Sequence, residues 1–273
     1  MGTNSGIAWT NHTFNPWWGC TKVSPGCDHC YAETFDRRLG GEHWGKDAPR
    51  RIFGDKHWNE PLRWNAAAQK TGVPALVFCA SMADWCDVDA PPGAVERLHG
   101  LWRATPWLRW QMLTKRPARI AANLPPDWGQ GYPNVWLGAT VDDRKNGIPR
   151  VTVLRTLPAV VRFLSIEPLL EDLGDFLLDG IGWVIVGGES GHGARPFHLS
   201  WARDLKRQCE RAGVAFFMKQ MGACASDPEN GIAGAALKIP DEALPLLSKR
   251  LRDQKGGDMS EWPEELRVQE FPR

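Results

Sequence analysis

Cys20, Cys27 and Cys30 fall within eleven positions in the stretch GCTKVSPGCDHCYA, residues 19–32, and no fourth cysteine lies nearby. Thiolates are soft ligands that select zinc, copper(I) or iron-sulfur clusters, and a CxxC pair lets two sulfurs bind one centre. A structural zinc site closes with four ligands, so zinc would call on His29, His12, Cys79, Cys86 or another distant residue. An iron-sulfur cluster held by three cysteines would keep one iron without a protein ligand, open to a substrate or cofactor. Packing alone accounts poorly for three thiols in a loop that also carries Gly19, Pro25 and Gly26.

Composition narrows the setting. The 273 residues, 42% of them hydrophobic, are enough for one large α/β domain or two small ones. Lys+Arg 33 against Asp+Glu 32 gives a formal charge of +1, so no global basic field argues for nucleic-acid binding, though local patches remain. The N-terminal stretch has no signal-peptide organisation, and no apolar run approaches the roughly 20 residues that span a bilayer. Seven cysteines, an odd number, suit a reducing compartment in which thiols serve as metal ligands, catalytic groups or buried apolar residues. These features predict a cytoplasmic protein without a membrane partner.

The elements that must position the cysteines are legible as short apolar runs, each ending in polar residues. They are ALVFCASMAD (75–84), RWQMLTKRP (109–117), NVWLGATVDD (134–143), VRFLSIEPLL (161–170), GWVIVGGESG (182–191) and VAFFMKQMG (214–222). An earlier strand is predicted in GIAWTNHTFNP, just before the cysteine loop, with YAETFDRRLG as the helix after it. Near-continuous apolar strands fit a parallel sheet covered on both faces, with segments such as PPGAVERLHGLWRAT and DDRKNGIPRVTVLRTLP as crossover helices. The clearest helix is LSWARDLKRQCERAG, with Ser200 as the expected N-cap and Gly213 as the stop.

Seven βα-type units predict an α/β fold, a TIM-like parallel (β/α) barrel, complete or partial, over residues 1–222. An open doubly wound sheet is the alternative, although no GxGxxG follows the first strand. Residues 40–74 interrupt the rhythm and read as an insertion with a short helix around 60–70. Residues 223–273 read as a C-terminal extension packed on the barrel, wrapping its surface or covering its mouth.

Parallel α/β folds place their sites at the carboxyl ends of strands, so the residues ending each run form one prospective surface. Among them are Asn11, His12, Asp84, Lys115, Arg116, Glu167, Glu189, Ser190 and Lys219. Any strand exits into polar loop, but Lys219 and Glu167 sit inside apolar runs, where an unpaired charge is costly and finds a partner or a ligand. The cysteine triplet follows the first strand at the same expected edge.

The stretches NPWWGCTKVSPGCDHCYA, SMADW, LTKRP, WLGATVDD, FLSIEPLL, VIVGGESG…ARP and FFMKQMG, in that order, resemble a phage- and bacteria-associated three-Cys-motif family related to radical S-adenosylmethionine (SAM) proteins. The resemblance runs from about residue 7 to 222 and continues in the GGD..EWPEELRV..FP ending. It implies a [4Fe-4S] cluster held by Cys20, Cys27 and Cys30, with SAM chelating the fourth iron. Reduction would cleave SAM to methionine and a 5′-deoxyadenosyl radical that abstracts a substrate hydrogen. The usual spacing in radical SAM proteins is CxxxCxxC, whereas six residues separate Cys20 from Cys27 here. Superfamily members also carry a GGE-type stretch that binds the SAM amino group; here Gly187, Gly188 and Glu189 lie late in the chain. A carboxylate at the edge can nevertheless pair with an ammonium, so Glu189 is a candidate for it.

On this reading Lys219, Glu167 and Asp84 are the candidate catalytic groups, and Asn11, His12, Glu189, Ser190, Lys115 and Arg116 the candidate cofactor or substrate ligands. The implied partners are an electron donor such as flavodoxin or ferredoxin and a substrate of unknown identity. LTKRP, RRL and PRRIF with Trp17, Trp18, Trp44, Trp58 and Trp85 make a nucleic acid or nucleotide compatible with it. The alternative is a zinc-stabilised barrel acting as a binding or accessory protein without redox chemistry. A third keeps the cluster for structure or electron transfer alone.

Overall fold

The structure is a computed structural model that describes residues 5–238, 247 and 249–272. Part of the expected C-terminal extension, 239–246, 248 and 273, lies outside the described residues. The chain divides into two compact units. One comprises Met1–Val23, Cys30–Ala139 and Thr152–Arg162; the other comprises Ser24–His29, Thr140–Val151 and Phe163–Arg273.

The first unit is built on parallel strands. It opens with β1 (His12–Thr13), β2 (Trp17–Trp18), α1 (Tyr31–Arg38), β3 (Arg51–Ile52), α2 (Asp55–Trp58) and α3 (Glu60–Thr71). It continues with β4 (Ala75–Cys79), α4 (Ala94–Ala104), β5 (Leu108–Thr114) and β6 (Val135–Thr140). The sheet order is β1-β4-β5-β6, with His12 opposite Val77, Val77 opposite Trp110 and Met112 opposite Leu137. Val77, Cys79, Leu108, Trp110, Met112, Val135 and Leu137 are all fully buried, as strands covered on both faces require. Many tryptophans are core: Trp85 meets Trp102 edge-on, and Trp110 donates its indole N–H to Thr105 Oγ1 at 2.9 Å. In the 40–74 stretch α3 matches the expected helix, and β3 pairs antiparallel with β2.

The second unit contains β7 (Arg162–Ile166) from Phe163 onward, β8 (Trp183–Gly187), β9 (Phe197–His198), α6 (Leu199–Ala212) and β10 (Ala215–Gln220). In sequence, α5 (Arg144–Thr156) precedes them and persists through Pro149. Strands β7, β8 and β10 are parallel in that order. A small sheet joins β9 to β11 (Ala225–Asp227), β12 (Ile232–Ala233) and β13 (Lys249–Arg250). The described tail runs antiparallel along β10, where Met218 N–H donates to the Val268 carbonyl at 2.9 Å and Glu270 N–H to Phe216 at 3.0 Å. It thereby covers a strand edge, which is how proteins blunt unpaired backbone.

All seven expected strands are present, and the α/β class with parallel strands is as the sequence predicts. Two details differ. Helix α6 begins one residue before Ser200, with His198 at the N-cap, whereas its stop at Gly213 is as expected, with φ 66°. The segments after β5 and β7 carry no α-helix among the described residues, only short 3-10 turns at Pro117–Arg119 and Ala121–Asn123 in the first case. Pro117, Pro125, Pro126 and Pro133 in one, and Pro168, Gly174 and Gly180 in the other, deny a helix the uninterrupted run it needs. No helix among the described residues is long and apolar enough to cross a membrane.

Candidate functional site

In the first unit the chain leaves β2 through Gly19, which is bridged to Ala83 and donates its N–H to the Met82 carbonyl at 3.0 Å. Gly19 has φ 113°, and a Cβ there would lie 2.2 Å from the His43 carbonyl oxygen, so only glycine lets the chain pass. The next residue, Cys20, is therefore set down beyond the carboxyl end of β4. Arg116, just past β5, places Nη1 3.6 Å from Cys20 Sγ and donates from Nη2 to the Thr21 carbonyl at 2.6 Å.

This guanidinium stands on buried carboxylates. Asp84 accepts from Cys86 N–H at 2.9 Å, Thr114 Oγ1 at 2.6 Å, Lys115 N–H at 3.0 Å and Arg116 Nη1 at 2.8 Å. Asp87, fully buried, pairs with Arg50 at 2.8 Å and Arg116 at 3.3 Å. Arg50 also donates to Thr21 Oγ1 at 2.9 Å and to the carbonyls of His43, Gly45 and Ala48. Burial, then the Asp84 charge, pushes the Cys20 thiol up to about 12, with Arg116 opposing, so free Cys20 is a neutral thiol at pH 7.

Cys30 caps the start of α1 and packs against Trp18, Ala32 and Met82. Trp17 and Trp18 form β2 ahead of the loop, and the indole N–H groups of Trp17, Trp18 and Trp85 are buried without an acceptor among the described residues. Asn15 ties β1 to the segment after β4, accepting from Met82 N–H at 2.7 Å and donating to Ser81 Oγ at 3.0 Å. Asn11 and His12 are elsewhere. Asn11 Oδ1 accepts from Leu76 N–H at 2.7 Å, near the amino end of β4, and His12 stacks on Trp64 at 4.5 Å. With a strand of only two residues, Asn15 rather than Asn11 or His12 reaches the carboxyl end.

In the second unit, Ser24–His29 is fastened by two anchors. Asp142, fully buried, accepts from Ser24 Oγ, from Gly26 N–H at 3.1 Å and from Arg150 Nη1 at 2.8 Å. Arg195 Nη1 donates to the Pro25 carbonyl at 2.8 Å, and its fork grips Glu189 at 2.6 and 3.0 Å. His29 Nδ1 lies 3.0 Å from Glu189 Oε2. Cys27 is half-buried and closes the 3-10 turn, its N–H donating to the Ser24 carbonyl at 2.9 Å. Glu189 is thus neutralised by Arg195 within its own unit. Glu167 and Lys219, at the ends of β7 and β10, form an ion pair whose side chains are only 18% and 22% exposed. Ser190 is half-buried.

Burial pushes the Glu189 carboxyl up, but the hydrogen bonds from Arg195, with His29 adding to them, outweigh it and hold the group below its ordinary value. A carboxyl depressed in the folded state contributes stability that is present above its unfolded value of about 4.3 and lost as pH falls through the lower folded value. Wild type is therefore expected to melt higher than Glu189→Gln at pH 7. The difference should shrink steadily below about pH 4, measured by thermal unfolding across pH; a difference independent of pH would contradict the ion-pair account.

All seven cysteines are free thiols. No group of three or more His, Cys, Asp or Glu side chains disposed to hold a metal ion occurs among the described residues. In donor chemistry the residues of the loop suit a soft centre: three free, half-buried thiols, with an N–H donor from Arg116 on Cys20. The distant residues expected to complete a zinc tetrahedron are otherwise engaged. Cys79 is fully buried in β4, Cys86 is fully buried after Asp84, His12 stacks on Trp64 and His29 meets Glu189.

The family model described as "Protein of unknown function (DUF5131)" matches residues 4–261. The chain belongs to this family. The match takes in the cysteine loop and all seven parallel strands of this DUF5131 member. No curated protein matches it in sequence. Among solved structures it is similar to spore photoproduct lyase. A double mutant with bound AdoMet and dinucleoside spore photoproduct aligns at TM-score 0.46 and 11% identity, covering 78% of this chain and 64% of that one. Spore photoproduct lyase complexed with dinucleoside spore photoproduct gives TM-score 0.46 at 10% identity with the same coverage. This DUF5131 chain therefore spans less than two thirds of the length of those proteins.

The sequence gives Asp87 no signal and Asp142 no role; Gly26 reads only as a loop residue, Arg50 only as part of the basic PRRIF, and Arg195 only as the ARP that follows GGESG.

Proposed function

We propose that this DUF5131 protein is a radical SAM-like iron-sulfur enzyme, with Cys20, Cys27 and Cys30 as the cluster ligands. The observation that carries the reading is the set of three free thiols in one loop, while the residues able to supply a fourth protein ligand are buried or engaged elsewhere. An open position on the bound group is what such a donor set supplies.

A [4Fe-4S] cluster with SAM would bring reductive cleavage of SAM and hydrogen abstraction from a substrate. The chain's own residues do the rest. Gly19 and Arg116 set Cys20 at a strand end, Asp142 and Arg195 hold the turn that carries Cys27, and the packing of Trp18 and Met82 shields Cys30 from water. Lys219 and Glu167 form a partly exposed charge pair that can orient a polar substrate group, and Lys115 offers a further cation. A nucleic acid or nucleotide is the substrate class we favour. Tyr31 and Phe35 on α1 are 59% and 45% exposed and offer stacking faces next to the cations of Arg37 and Arg38. An electron donor such as flavodoxin or ferredoxin is the partner this chemistry requires.

The test is anaerobic reconstitution with iron, sulfide and zinc in competition, followed by metal analysis. The account expects about four irons and four sulfides per chain. Stoichiometric zinc in place of iron would reject it and point to a zinc-stabilised binding protein.

A further inference from the structure

Arg116 is the residue through which the fold reaches the first cysteine. The sequence offers it as a candidate cofactor or substrate ligand, yet its guanidinium is buried, 8% exposed, and committed within the protein. Nη1 carries two hydrogens, one directed at Asp84 Oδ2 at 2.8 Å and one at Cys20 Sγ at 3.6 Å. Nη2 donates to the Thr21 carbonyl at 2.6 Å and lies 3.3 Å from Asp87 Oδ1. The Asp84 carboxylate on Nη1 and the Thr21 carbonyl on Nη2 fix the plane of the fork, with the Asp87 charge beside it, so the N–H aimed at sulfur is held in place by the group's other bonds.

The electrostatics give that N–H a consequence. Asp87 is shared with Arg50, so the buried charges of Asp84 and Asp87 are balanced by Arg50 and Arg116. Negative charge added at sulfur meets a fixed, water-shielded donor, and such a bond is stronger than the same contact in water. Hydrogen bonds to cluster sulfurs are one of the means by which proteins set reduction potential.

We propose that Arg116 is a positioning residue that orients Cys20 and, through its N–H to Sγ, raises the reduction potential of an iron-sulfur centre bound there. The inference rests on the reading of Cys20 as a cluster ligand. The experiment is a redox titration of the reconstituted holoprotein followed by electron paramagnetic resonance, comparing wild type with Arg116→Gln and Arg116→Lys at matched iron and sulfide content.

At the wild-type midpoint, Arg116→Gln is expected to lower the ratio of reduced to oxidised centre about tenfold, a shift of about 59 mV to more negative potential for a one-electron couple. Arg116→Lys keeps the charge but loses the fork, so it should recover part of that shift. A loaded Arg116→Gln with the wild-type midpoint overturns the role of Arg116 while leaving Cys20 a ligand. Where the Gln variant does not load, the Lys variant decides, and a midpoint equal to wild type overturns the inference. Wild type that takes up no iron overturns the underlying reading, an outcome its metal content sets apart.

Discussion

Asp84→Ala is expected to cost about 3–5 kcal/mol of stability, the largest loss of any single polar truncation near Cys20, as measured by urea unfolding. Asp84 is buried and accepts four hydrogen bonds, from Cys86, Thr114, Lys115 and Arg116. Alanine removes the acceptor for two backbone amides and leaves the Arg116 guanidinium short of a counter-charge in a buried place. Breaking one side of a buried pair is far costlier than replacing both sides with apolar groups. Asp84→Asn keeps the shape and half the acceptors, so it should lose less. A loss below about 1 kcal/mol for the alanine variant would contradict this role, and would return Asp84 to the catalytic part it was first expected to play.

Gly26→Ala is expected to weaken metal loading by roughly 10–100-fold, the scale on which supporting contacts act on metal sites. A Cβ at position 26 would lie 2.2 Å from Asp142 Oδ2, the carboxylate oxygen that Ser24 and Gly26 both use, while buried Arg150 holds the other oxygen, Oδ1, at 2.8 Å. Asp142 cannot move away without losing Arg150, so the turn must lift instead, and Cys27 with it. The six residues between Cys20 and Cys27 thus have a physical account: Ser24-Pro25-Gly26 is the part of the loop that Asp142 and Arg195 grip. Isothermal titration of the apo protein with iron(II) or zinc measures the effect, and thermal unfolding separates it from global loss of fold. Wild-type affinity in Gly26→Ala would show that the turn does not position Cys27.

The strands were the most legible part of the fold. VFC, WQML, WLGA, FLSI, WVIV and FFM are apolar enough to be buried on both faces, and all lie in parallel strands of the structure. Helix α6 was read to within a residue or two because Gly213 marks its end, whereas the expected Ser200 cap lost to His198. The segments after β5 and β7 looked like further crossovers by rhythm alone, and their prolines and glycines decided otherwise.

Residues at strand ends were legible as polar groups, but their partners were not. Asp84 and Glu167 read as candidate catalytic carboxylates and Glu189 as a candidate cofactor ligand. The structure gives Asp84 four internal donors and Glu189 the fork of Arg195, and it pairs Glu167 with Lys219 while leaving both partly exposed. Asp84 and Arg116 are 32 positions apart and Gly26 and Asp142 are 116 apart, separations at which sequence spacing carries no pairing signal. The places of Asn11 and His12 are illegible for another reason: a strand of two residues offers no periodicity from which to count to its carboxyl end.

The measurement that bears most directly on the central claim is electron paramagnetic resonance of the anaerobically reconstituted, reduced protein with and without SAM, with Cys27→Ala as the control. The account predicts a [4Fe-4S] signal that changes when SAM is added and disappears in the Cys27→Ala variant. A signal indifferent to SAM would contradict an open iron and leave a cluster serving structure or electron transfer. No cluster signal from a fully folded wild type would contradict the iron-sulfur reading itself.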